Sequence, residues 1–250
     1  MKIALISGAG SGIGRALACA LAAGGEADEL WLLGRHEERL RAVAATLGGA
    51  ATRILPLDLT QAEAFDVLRG ELSAAGGHIS WLVAAAGGGY MGEFAALSEG
   101  EMRETVTLNC IALSALIETA LPYMARGAHI LTLASAAALL PPPGFAVYAA
   151  SKAYVLSLSR ALGRELRERG ITVTAVCPGP VATPFLETAA RPAPMPRGKK
   201  KYVVQPAVVV RAALRGATRG RAVVLPTAAM KLAAVAAKLL PHGLLVRFFR

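Results

Sequence analysis

Apolar residues along the chain fall into short and long runs. The short runs are β-prone and span residues 2–7, 30–33, 53–57, 81–85, 129–133, 171–177 and 222–225. Most are apolar at nearly every position, as a strand covered on both faces requires. The long segments have helical character and span residues 12–23, 36–47, 61–74, 98–124, 147–169 and 205–215. Strands alternating with helices predict a parallel sheet with helices on both faces. Right-handed crossovers then give a doubly wound, Rossmann-type α/β fold with seven strands. With no internal repeat and no linker, residues 1–226 read as one domain and residues 227–250 as an extension packed on that domain or on a partner.

Three stretches break the pattern. Residues 136–144 contain Pro141, Pro142 and Pro143, whose missing N–H groups oppose regular structure. Residues 178–201 carry six prolines and the run Lys199-Lys200-Lys201. This length between a strand and a helix suggests a functional lid over residues 184–204. In the extension, Leu232, Val235, Ala236 and Leu239 form a helix-spaced apolar stripe within 230–240, with Lys231 and Lys238 off it.

Composition narrows the class. Of 250 residues, 54% are hydrophobic and 18% charged, which excludes a disordered chain. The cysteines, Cys19, Cys110 and Cys177, are odd in number and far apart. A disulfide framework is excluded and a cytoplasmic location expected. The formal charge of +10 is unevenly placed: residues 188–250 hold thirteen Lys and Arg and no Asp or Glu, whereas residues 1–187 hold fourteen against seventeen. A globally basic nucleic-acid binder is not expected, and the tail lacks the interleaved aromatics of a stacking platform. An anionic ligand, an acidic partner, a peripheral contact with the inner face of a membrane, or mere solvation all suit the tail. No signal peptide or membrane span is expected. The opening apolar run enters a glycine motif, and Lys231, Lys238, Pro241, His242 and Arg247 interrupt the apolar tail.

The first strand runs into Ser7-Gly8-Ala9-Gly10-Ser11-Gly12-Ile13-Gly14, and a helix follows. Glycines let a backbone turn tightly against a bulky anion, and a helix N-terminus attracts a pyrophosphate. The second strand ends Leu33-Gly34-Arg35. An acidic residue there would take a ribose 2′-hydroxyl, whereas the Arg35 guanidinium suits a 2′-phosphate. NADP(H) is therefore the preferred cofactor, with NAD(H) the alternative; Arg35 could instead pair with Glu37 or Glu38 on the surface. Asp58, followed by Leu59, could accept from an adenine amino group or cap the next helix. No metal site is expected.

Tyr148 and Lys152 are four residues apart, on one face of a helix. A nearby cation favours the phenolate and lowers a tyrosine pKa, making Tyr148 an acid or base near neutrality. Ser135 lies just past a strand, where a hydroxyl could polarise a carbonyl. Asn109 is a polar amide in an apolar helical stretch and needs partners.

These residues, in this order, resemble the short-chain dehydrogenase/reductase family over roughly residues 1–225. The matching elements are Gly8, Gly12 and Gly14, Asp58, Asn109, Ser135, Tyr148 with Lys152, and Pro178-Gly179-Pro180-Val181-Ala182-Thr183. The resemblance implies that Tyr148 is the general acid in reduction and that Ser135 holds the substrate oxygen. It implies that Lys152 lowers the Tyr148 pKa and bonds the nicotinamide ribose, while Asn109 supports a water relay. Pro178, Gly179, Val181 and Thr183 would line the nicotinamide; Gly10, Ser11, Ile13, Leu59, Ala85 and Gly87 complete the implied cofactor contacts.

Substrate contacts are expected from Ser135, Ala137, Phe145, Tyr148 and Phe185, an apolar set that suits a lipophilic ketone, aldehyde or secondary alcohol. A dimer or tetramer is expected. The alternatives are a 3-ketoacyl thioester reductase, with Lys199–Lys201 meeting an anionic carrier, and a non-catalytic NADP-binding scaffold. Two departures stand out. Ala85-Ala86-Gly87 replaces the family's Asn-Ala-Gly, which predicts some lost hydrogen bonding between central strands. About 25 residues follow Leu225-Pro226, where many members end soon after the last strand in a turn used for tetramer packing. The familiar tetramer and a housekeeping ketoacyl-carrier-protein reductase are thereby disfavoured.

Overall fold

The computed structural model describes residues 1–189 and 203–239. Its strands are β1 (Lys2–Ser7), β2 (Glu29–Leu33), β3 (Ala51–Leu55), β4 (His78–Ala84), β5 (Met124–Leu133), β6 (Thr172–Val176) and β7 (Val223–Val224). They pair in parallel in the order β3-β2-β1-β4-β5-β6-β7. The helices are α1 (Gly12–Gly24), α2 (Glu37–Ala44), α3 (Glu63–Ala75), α4 (Glu99–Val106), α5 (Ala112–Ala120), α6 (Ala146–Glu165), α7 (Pro184–Ala189), α8 (Pro206–Thr218) and α9 (Ala228–Leu239). This is the expected seven-stranded Rossmann-type fold.

Strand β1 shows why its sequence is apolar throughout. Ile3 and Leu5 join the core with Leu68 of α3, Leu116 of α5 and Val155 of α6. Ala4 and Ile6 point the other way, to Leu17 of α1, Leu40 of α2 and Val210 of α8. Alternate side chains thus feed two cores, one on each face of the sheet. Strand order reverses between β1 and β4, and this switch point opens a crevice at the C-terminal strand ends.

The structure departs from the sequence expectation at several places. β3 stops at Leu55 because Pro56 has no N–H to give the ladder. The helix expected over 98–124 is α4, a π-helical turn at Thr107–Ile111, then α5 and a 3-10 turn at Leu121–Tyr123. Glu99–Tyr123 is long enough to cross a membrane and holds an 18-residue apolar window, although no span was expected. Half of its apolar window is buried in the fold, which accounts for that composition. The irregular stretches contain a 3-10 turn at Ala136–Ala138 and the short helix α7. The Lys199–Lys201 run lies outside the described residues. At the missing Asn, the Ser7 Oγ accepts from the N–H groups of Ala85 and Ala86, both at 3.1 Å, and so ties β1 to the end of β4.

Candidate active site

The glycine loop is shaped for close approach. Gly8 has φ +67°, and a Cβ there would lie 2.7 Å from the Ala86 nitrogen. A Cβ on Gly14 would lie 2.3 Å from the Gly8 carbonyl oxygen, so α1 packs directly on the turn. Helix α1 begins at Gly12 with no side-chain cap and no acidic residue in its first turn. Its N-terminus is thus left to an anion. These features fit a dinucleotide pyrophosphate.

At the far end of β2, Arg35 pairs with Glu104 of α4 at 3.6 Å, not with Glu37 or Glu38. Glu37 binds Arg41 instead. Glu104 also accepts from the Tyr90 hydroxyl at 2.6 Å, which with partial burial holds that phenol up at about 12. The cation expected to meet a 2′-phosphate therefore already has an anionic neighbour. No signal in the sequence joins residues 35, 90 and 104. Asp58 uses its Oδ1 locally, accepting from the Thr60 N–H (3.0 Å) and hydroxyl (2.8 Å). Leu59 is buried in the core. Gly10 rests against the Cβ of Arg39, a further basic residue beside the loop that the sequence reading passed over.

Helix α6 places Tyr148 and Lys152 on one face, as their spacing requires. The Lys152 ammonium is buried and donates to the Leu133 carbonyl at the end of β5 (2.8 Å). It lies 5.7 Å from the Tyr148 ring centroid. Burial pulls Lys152 from its ordinary 10.5 down to about 8. Burial also pushes Tyr148 up to about 12, with a Ser135 hydrogen bond working against it. The expectation that Lys152 lowers the Tyr148 pKa is not met: desolvation dominates and raises it. Tyr148 is protonated at neutral pH, the state a general acid needs. Ser135 follows β5 and its Oγ accepts from the Ala137 N–H at 3.2 Å.

Asn109 explains the π-helical turn. Its fully buried amide donates to the Gly88 carbonyl (2.8 Å) and the Ser151 hydroxyl (2.9 Å), and its Oδ1 accepts from the Gly88 N–H (3.0 Å). One extra residue in the turn goes with this inward amide, and π-bulges of this kind gather at functional sites. A Cβ on Gly87 would lie 3.0 Å from the Asn109 Oδ1 and 3.1 Å from the Lys152 Nζ. Both groups thus converge on the loop after β4. Gly89 is needed as well, since a Cβ there would lie 2.5 Å from the Tyr148 ring. The run Gly87-Gly88-Gly89 was the available signal.

These elements enclose a cleft of about 1070 Å³. It is lined by Gly8, Ser11, Gly12, Ile13, Gly14, Ala85, Gly87, Ser135, Ala137, Phe145, Tyr148, Lys152, Pro178, Gly179, Val181, Thr183 and Phe185, all expected from the sequence. Gly10, Arg35, Asp58, Leu59 and Asn109 stand outside its wall. The Tyr148 ring is met edge-on by Phe145 (5.1 Å between centroids) and stacked by Phe185 (5.5 Å). The extension was expected to pack on the domain or a partner, but sequence reasoning did not single out the residues it brings to the cleft. Thr227, Ala229, Met230 and Ala233 line the cleft, and the Met230 sulfur accepts from the Gly179 N–H at 3.2 Å.

A parallel sheet with a glycine turn at its switch point, and Ser135, Tyr148 and Lys152 below it, defines a Rossmann-type oxidoreductase. The chain matches the short chain dehydrogenase family over residues 2–193 and belongs to that family. It is 31% identical to an uncharacterized oxidoreductase of Staphylococcus epidermidis over 188 residues, covering 74% of this chain and 80% of the relative. It is 34% identical to an uncharacterized oxidoreductase of Escherichia coli over 183 residues, covering 72% and 62% of the two chains. Among solved structures it resembles a short-chain dehydrogenase from Sphingobium yanoikuyae in complex with NADPH (TM-score 0.81, 30% identity, 95% and 93% covered). It also resembles a family member from Burkholderia phymatum in complex with NAD (TM-score 0.81, 26% identity, 94% and 92% covered).

Proposed function

We propose that this oxidoreductase interconverts a lipophilic ketone or aldehyde and its alcohol, with NADP(H) preferred. One observation carries the reading: Ser135, Tyr148 and Lys152 meet the glycine loop in one cleft walled by Phe145, Phe185 and Met230. A bound nicotinamide supplies or accepts the hydride. The chain's own residues do the rest. The protonated Tyr148 hydroxyl holds the proton for the substrate oxygen, and Ser135 offers a second donor to the same atom. Together they meet the developing oxyanion with donors already in place. Lys152, with a pKa near 8, can pass a proton inward at neutral pH, and Asn109 and Gly87 flank its path. The preference for NADP(H) rests on Arg35, and the apolar walls support a lipophilic substrate.

Tyr148→Phe tests the reading. NADPH oxidation across a ketone panel is expected to vanish, while NADPH binding, read by nicotinamide fluorescence, persists. Turnover retained by this variant refutes it.

The basic segment after residue 188 favours a second reading, a 3-ketoacyl thioester on an anionic carrier. A solved neighbour is described as a 3-ketoacyl-(acyl-carrier-protein) reductase from Brucella melitensis (TM-score 0.77, 26% identity, 90% and 95% covered). Activity on an acyl-CoA would then fall steeply with added salt. We also propose a homo-oligomer in the cytoplasm. Exposed Val106, Ile111 and Tyr154 lie on the packed α4–α6 face and support a self-contact.

A further inference from the structure

Helix α9 has two apolar faces with different fates. Its inner face is engaged: Met230 and Ala233 wall the cleft, Met230 accepts from Gly179, and Ala237 is buried. Its outer face is bare. Leu232, Val235 and Leu239 are 73%, 52% and 76% exposed. Spaced three and four residues apart, they share one stripe. Three of the nine large apolar side chains exposed among the described residues thus sit on one twelve-residue helix. Scattered exposed apolar residues are ordinary, but an aligned stripe marks a contact.

Charge says what the contact is. Lys231 is exposed beside the stripe, and residues 203–239 hold six cations and no anion. A second copy would set this basic segment against its own like, while the body, with fourteen basic against seventeen acidic residues, offers only a weak counter-charge. An anionic surface that also accepts aliphatic side chains to a shallow depth meets both demands. We infer that the outer face of α9 docks the protein on an anionic lipid bilayer. This is the pattern of an interfacial helix, where apolar burial and attraction to anionic headgroups add. Because the same helix walls the cleft, docking holds the cleft close to the source of a lipophilic substrate. That consequence rests on the proposed substrate class; the docking itself does not.

Vesicle sedimentation of the full chain, without substrate, tests the inference. The protein is expected to pellet with phosphatidylglycerol vesicles and at least about tenfold less with phosphatidylcholine vesicles, since each cation near an anionic surface is worth about 1 kcal/mol, or about fivefold. The variant L232E/V235E/L239E should lose pelleting by at least about tenfold, yet oxidise NADPH with a soluble ketone in vesicle-free buffer at the wild-type rate. K231E should weaken pelleting about fivefold or more without touching the apolar stripe, and so guards against a misfolded triple variant. No pelleting with phosphatidylglycerol, or equal pelleting of the triple variant, overturns the inference. So does loss of a wild-type dimer in the triple variant without any vesicle binding, which would assign the stripe to a second copy. Vesicle-free turnover reports on the enzymatic reading and sedimentation on the docking, so either can fail alone.

Discussion

Replacing Lys152 by Met should make the ligand-free protein more stable and leave it inactive. The ammonium is buried, and burial lowers its pKa from 10.5 to about 8. At pH 7 that difference amounts to about 3 kcal/mol charged against folding. Met has similar length and no charge, so the cost disappears. Its loss leaves the Leu133 carbonyl without the donor now 2.8 Å away, which costs about 1–2 kcal/mol. The net gain is about 1–2 kcal/mol, or about 2–8 °C in Tm for a chain of this size. The sign fixes the pH window. The folded pKa lies below the unfolded one, so between pH 8 and 10.5 the unfolded chain binds more protons and wild-type stability rises with pH. The penalty is full below pH 8 and gone above 10.5. Thermal melts of both proteins at pH 7 and pH 10 read this directly: the variant should melt higher at pH 7 and the gap should narrow at pH 10. A variant less stable than wild type at pH 7, or a gap that ignores pH, refutes the assignment of Lys152 as a buried, penalised cation. The trade of stability for function is the expected one at a catalytic group.

Glu104→Gln removes the anion beside Arg35 and is expected to tighten NADPH about three- to tenfold while leaving NADH unchanged; fluorescence titrations showing equal effects on both would dissociate Arg35 from the 2′-phosphate. Asn109→Ala strips both the N–H and carbonyl of Gly88 of their partner and should cost about 2–4 kcal/mol in urea unfolding, with a loss under about 0.5 kcal/mol counting against the amide as the clamp of the loop. Gly14→Ala forces a methyl to within 2.3 Å of the Gly8 oxygen, so NADPH affinity should drop by at least about a hundredfold; an affinity within about twofold of wild type would show that the turn yields freely.

Much of this protein was determined locally. Strands β1 and β2 and helix α1 were legible because their apolar periods match a sheet covered on both faces. The glycine turn was legible because close backbone approach tolerates no side chain. Tyr148 and Lys152 were legible as a pair because four residues make about one helical turn.

The tertiary structure decided what those groups do. Spacing alone suggested a cation that lowers the tyrosine pKa; desolvation in the cleft instead raises Tyr148 to about 12 and lowers Lys152 to about 8. The π-helical turn at Asn109 follows from hydrogen bonds to Gly88, 21 residues away. The Arg35–Glu104 pair and the seat of Met230 on Gly179 likewise join segments far apart in sequence. Helical and strand periods act over a few residues and can be read along the chain. Desolvation, ion pairing and the choice of which helix face meets the cleft arise only when distant segments pack, and no local pattern encodes them.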